Sequence, residues 1–123
     1  MPSRKPPRPR RAPAPAVVLA LPPSVHTVLG AITVERVDMI RNPDGSPCPD
    51  DLGEFSYHTR AIRVLDSLHP TQAYHTMRHE WAHAVLFDSG IYNVLSKRLT
   101  EQLCDILATA LTAEAVAEAT ATR

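Results

Sequence analysis

A chain of 123 residues has room for one domain, so one compact core is expected. Its two cysteines, Cys48 and Cys104, exclude a disulfide framework and a Cys-x-x-Cys site, and no apolar run approaches the length of a membrane-spanning helix. The balance of 13 basic and 13 acidic residues hides an asymmetry: residues 1–16 hold five cations (Arg4, Lys5, Arg8, Arg10, Arg11), so eight basic residues face 13 acidic ones in the rest.

Residues 1–16 are rich in proline and arginine, a composition that solvates well and buries little, so they are expected to form a disordered basic tail. Their charge could meet nucleic acid, an acidic partner or a membrane surface, although none of these is needed to explain a solvated leader. The apolar run that follows, Ala16 to Leu21, is short, bracketed by prolines and without a small-residue cleavage site. It does not read as a secretion signal, and a cytoplasmic location is expected.

Two short strands are predicted at 25–29 and 32–37, reversing through Gly30-Ala31, with Ile32, Val34 and Val37 on one buried face. Residues 42–51, dense in Pro, Asp, Asn and Gly, read as a surface loop. Strands at 54–57 and 61–65 turn at His58-Thr59-Arg60, with Ile62 and Val64 on one face and Arg63 on the other. Pro70 suits the first position of a helix that runs to Asp88 and ends at Ser89-Gly90. At about 100° per residue, Tyr74, Met77, Trp81, Ala84 and Val85 share one side of it, whereas His79 and His83 share the other. A second helix begins after Ser96 as its cap, with Leu99, Leu103, Ile106, Leu107 and Leu111 as its expected apolar arc and fraying expected beyond about Glu114. The whole reads as an α+β domain at 17–118, a small twisted sheet packed on both helices, followed by a frayed end at 119–123.

The first helix carries His79-Glu80-Trp81-Ala82-His83. Histidines four apart stand one turn apart on one helix face, so two ring nitrogens can converge on one ion at about 2.0–2.1 Å. Glu80 then sits beside the ion as a general base for water. A catalytic zinc usually takes three protein ligands, and Glu101, on the second helix, is the expected third. Asp105, one turn beyond Glu101, faces the same way and is placed to accept the outward N–H of a ligand histidine, here assigned to His79. His75, two turns before His83, cannot join both motif histidines on one ion, because about 12 Å of helix separates the two positions. His26, His58 and His69 default to surface or capping roles, Tyr74 and Trp81 to core packing, and Cys48 to a free thiol in its loop rather than a zinc-blocking one.

The His79–His83 motif followed by Glu101-Gln-Leu-Cys-Asp105 resembles the gluzincin metallopeptidases. Residues 25–111 more particularly resemble the very small gluzincin-like proteins common in phage and prophage genomes, including the strands Gly53-Glu-Phe-Ser-Tyr57 and Ile62-Arg-Val64. The resemblance implies a minimal zincin that hydrolyses peptide bonds, with zinc on His79, His83 and Glu101, Glu80 as base and Asp105 supporting a ligand histidine. It also implies an extended peptide or protein substrate on a sheet edge, with the 54–65 hairpin as the natural candidate, and a host-cytoplasmic setting for a phage-encoded chain. Larger gluzincins wall their cleft with a second subdomain, for which this chain has no room, and steady the oxyanion with a tyrosine or histidine. Tyr57, Tyr92 and His75 all remain open for that role. The rival expectation is a regulatory or interaction protein that keeps the zinc-bound fold, cleaves nothing and attaches to nucleic acid through its tail.

Overall fold

The computed structural model describes residues 18–121; the expected basic tail at 1–16 lies outside them, as do residues 122 and 123. Among the described residues the chain forms β1 (Ser24–Thr27), β2 (Gly30–Val37), β3 (Gly53–Ser56), β4 (Ala61–Leu65), α1 (Pro70–Asp88), a short 3-10 turn (Ile91–Val94) and α2 (Lys97–Ala121). The sheet runs β1-β2-β4-β3, with β2 and β4 parallel and the outer pairs antiparallel. This is the small α+β fold expected from the sequence. No helix among the described residues is long and apolar enough to cross a membrane.

The first reversal falls two residues earlier than expected, at Val28-Leu29, and β2 already begins at Gly30. Thr27 causes it: its hydroxyl accepts the Leu29 N–H and so turns the chain there, and Gly30 tolerates a φ of 119°. Ile32 and Val34 face the core as expected, but Val37 is out of phase with them and pairs with Leu65 on the opposite side of the sheet. In the 42–51 loop, Asp44 accepts hydrogen bonds from the amide and hydroxyl of Ser46, which hold its carboxyl below the usual range.

Helix α1 starts where Pro70 allows, capped by His69, whose Nδ1 accepts the Thr71 N–H at 3.3 Å. Ala73, Met77 and Ala84 join Val25, Ile32, Ile62 and Val64 in the core, with Tyr74 and Trp81 packed at its margin. Trp81 Nε1 also donates to the His26 carbonyl at 2.9 Å, fastening α1 to β1. Arg78 lies over both rings, 5.4 Å from Tyr74 and 5.3 Å from Trp81.

Helix α2 departs from its expected arc. The buried row is Thr100, Cys104, Ala108 and Thr112, whereas Leu99, Ile106 and Leu107 are exposed, Ile106 by 64%. Small side chains at four-residue spacing let two helices approach closely, and the leucines stand to one side of that row. The helix also passes Glu114, where fraying was expected, and enters the 119–123 end, remaining helical to Ala121. Alanine, which predominates there, has the highest helix propensity.

Where α1 ends, Asp88 is buried to 1% exposure and accepts two hydrogen bonds from Arg60 Nη1, both at 2.9 Å, and one from the Thr27 hydroxyl. Arg60 Nη2 reaches the Thr27 hydroxyl at 3.2 Å, so one network ties the β1–β2 corner, the β3–β4 turn and the helix. Removing Arg60 leaves the buried Asp88 carboxylate with only the threonine hydroxyl, so Arg60→Ala is expected to cost about 1–3 kcal/mol of unfolding free energy. Urea denaturation measures this; a loss below about 1 kcal/mol would mean that the threonine alone satisfies Asp88.

Candidate metal and hydrolytic site

Helices α1 and α2 meet along a polar ladder. His75 Nε2 lies 3.3 Å from Thr109 Oγ1, His79 Nδ1 lies 2.8 Å from Asp105 Oδ1, and His83 Nε2 lies 2.9 Å from Glu101 Oε1. Each step of four forward on α1 is a step of four back on α2, the register of antiparallel helices. Two rows of period four therefore bring Glu101 and Asp105 to the two motif histidines across 18 and 26 residues of chain.

At the centre, the Nε2 atoms of His79 and His83 are 3.2 Å apart, and the Glu101 carboxylate reaches them at 3.2 and 2.9 Å. Among the described residues, these are the only three His, Cys, Asp or Glu side chains whose ligand atoms converge in this way, all within 4.8 Å of one another. Donors about 2.0–2.1 Å from a shared tetrahedral ion stand about 3.3 Å from one another, close to the spacing found here. The contact with Asp105 agrees with this geometry. Neutral His79 that donates its Nδ1–H to Asp105 must present a lone pair at Nε2, toward the other two donors. Burial pulls His83 below the usual histidine range, against the attraction of Glu101, which also favours a neutral, ligating ring. Two imidazole nitrogens and a carboxylate are a donor set suited to zinc.

Glu80 lies outside that cluster, against β3. A Cβ on Gly53 would meet Glu80 Cγ at 3.6 Å, Thr76 Cγ2 at 2.6 Å and the Arg63 carbonyl at 3.0 Å, so only glycine lets the strand approach the helix here. That closeness shields the Glu80 carboxyl. Burial raises it from an ordinary 4.5 to about 7, His79 opposes the rise, and Glu101 and Glu54 add to it.

The shift has a sign that can be tested on the metal-free protein. Because the folded value exceeds the unfolded one, Glu80 favours the folded state below about pH 4.5, and that contribution is lost as pH rises through about 7. His83 titrates with the opposite slope, so the informative comparison is with Glu80→Gln. With chelator present, the variant is expected to exceed wild type in stability at pH 8 by roughly 2–3 kcal/mol and to lose that advantage at pH 4. Parallel stability–pH curves from thermal melts would refute it.

Cavities flank the cluster. One of about 380 Å³ is bounded by Gly53, Phe55, Tyr57, Phe87 and Tyr92 together with Glu80 and His83. Another of about 310 Å³ lies on the His79 side, between Asp50, Asp51, His75 and Asp105. Of the three oxyanion candidates, Tyr57 and Tyr92 border the first cavity and His75 the second. Tyr92 also borders a third, with His83 and Glu101. Cys48 stays outside the cluster: its thiol donates to Asn42 Oδ1 at 3.1 Å, and desolvation and Asp51 push its pKa up. Buried Cys104 is raised further, to about 12, by desolvation and by Glu101.

Sequence reasoning missed Gly53 and Phe87. Phe87 was within reach, because it lies four residues after His83 and so shares its helix face. Gly53 depends on how closely β3 packs on α1, which sequence spacing does not encode.

Comparison with known proteins adds no relative: no family model matches the chain, and no curated protein or solved structure shows significant similarity to it.

Proposed function

We propose that the chain is a minimal zinc-dependent peptide hydrolase. The observation that carries this reading is the convergence of His79, His83 and Glu101 on one point, with Glu80 beside it against a free sheet edge. Zinc held by the three residues would supply Lewis-acid polarisation of the scissile carbonyl and make water easier to deprotonate. The chain's own residues do the rest. The Glu80 carboxylate takes a proton from the attacking water and returns it to the leaving amine. Asp105 holds the His79 ring in the tautomer that presents Nε2.

Strand β3 supports a peptide substrate. It is an outer strand of the sheet, and the bond from the Leu65 amide to the Leu52 carbonyl fixes the phase of its pairing with β4. Residues 52, 54 and 56 bond to β4, so the N–H and C=O groups of Gly53 and Phe55 face away from the sheet. An extended peptide can pair with them and pass alongside Glu80.

The test is zinc content followed by turnover. The purified full chain is expected to hold one zinc by elemental analysis and to cleave members of a peptide library, with activity lost on chelation and regained with zinc. A chain that takes up no zinc, or a zinc-loaded chain that leaves every peptide intact, ends this reading.

A further inference from the structure

We infer that the cavity beside His83 is a selectivity pocket for one large aromatic side chain of the peptide. This deepens the hydrolase reading and rests on it for the identity of the ligand as a peptide. Three rings from three separate elements build the wall: Tyr57 after β3, Phe87 near the end of α1 and Tyr92 in the 3-10 turn. Tyr57 and Phe87 stack with centroids 4.8 Å apart, and Phe87 meets Tyr92 at 5.7 Å. The rings pack on one another, yet they stay 49%, 38% and 49% exposed. An exposed run of three aromatic rings next to a reactive cluster is unfavourable to hydrate and suits a contact surface better than a core.

The occupant follows from continuity. The same cavity of about 380 Å³ is bordered by the rings, by Glu80 and His83, and by Gly53 and Phe55, whose backbone groups face the free edge. A peptide paired with that edge sends alternate side chains to the helix side of the sheet, and one of them meets the rings. A further ring gains edge-to-face and offset contacts with the existing three, beyond its apolar burial. An acidic side chain meets instead the carboxylate of Glu54, which borders the same space and is retained in a Glu80→Gln variant. Phe87 is the central ring, touching both of its neighbours, so it sets the shape of the pocket.

Binding tests this independently of turnover. Zinc-loaded Glu80→Gln protein, full length and isotope-labelled, is titrated by NMR with the capped peptides Ac-Ala-Ala-X-Ala-Ala-NH2, where X is Phe, Ala or Asp. The Phe peptide is expected to bind about 10–100-fold more tightly than the Ala peptide, the range for burying one large apolar side chain, and the Asp peptide most weakly. Adding Phe87→Ala should cut the Phe-over-Ala preference to about threefold or less. Tyr92→Ala, in an exposed turn, serves as a second variant should Phe87→Ala melt early. Equal affinities for the three peptides, no detectable binding of the Phe peptide, or a preference that survives in both variants would overturn the pocket. Selective binding by a protein that cleaves nothing would keep the pocket and remove the hydrolase reading, whereas cleavage indifferent to X would do the reverse.

Discussion

Glu80→Gln is expected to keep its zinc and its fold while losing about 10²–10⁴-fold in turnover, the usual contribution of a positioned general base. Glutamine preserves the size of the side chain, and Glu80 is not one of the three converging donors, so nothing in the metal cluster changes. What disappears is the acceptor for the proton of water. The fold should be retained because the carboxyl sits where ionisation is costly, and a neutral amide removes that cost. Zinc content, circular dichroism and peptide cleavage on one preparation make the separation. Loss of zinc in this variant to the level of His79→Ala, or full activity, would move Glu80 out of the base role.

The sequence made the two long helices legible because their signals are local. Pro70 and Gly90 punctuate α1, and the four-residue spacing of His79 and His83 is a helical period that survives any tertiary arrangement. Glu101 and Asp105 were legible for the same reason, since two rows of period four on helices joined by a short connection meet in an antiparallel register. The inner face of α2 was not. Hydrophobicity points to its leucines, yet close helix packing selects small side chains, and Thr100, Cys104 and Ala108 took the buried row. The early turn at Val28-Leu29 depends on the Thr27 hydroxyl, and the same hydroxyl bonds to Asp88, 61 residues away. The open edge of β3 follows from the parallel pairing of β2 with β4, and strand order is a property that alternation along a single strand does not carry.

Removing a ligand and removing its support should differ by a measurable margin. Glu101→Ala deletes one of three donors and is expected to abolish stoichiometric zinc binding, whereas Asp105→Ala leaves all three and should weaken affinity by about 10–100-fold. The contrast is informative because the two carboxylates are neighbours on one helix face and both touch His79, at 3.2 Å and 2.8 Å. Glu101 bridges to His83 as well, so its loss opens the cluster; Asp105 meets only the far nitrogen of His79 and acts by fixing that ring. The Asp105 side chain is 65% exposed, so water competes for it and the effect should fall toward the tenfold end. Stability reports the same ordering. With free zinc a thousandfold above the dissociation constant, binding adds about 4 kcal/mol to wild type, and chelation should remove it. Glu101→Ala should melt at one temperature with or without zinc, and Asp105→Ala should keep most of the increment. Competitive chelator titrations with paired melts decide: Asp105→Ala affinity equal to wild type would remove the support role, and unchanged zinc content in Glu101→Ala would remove the third ligand.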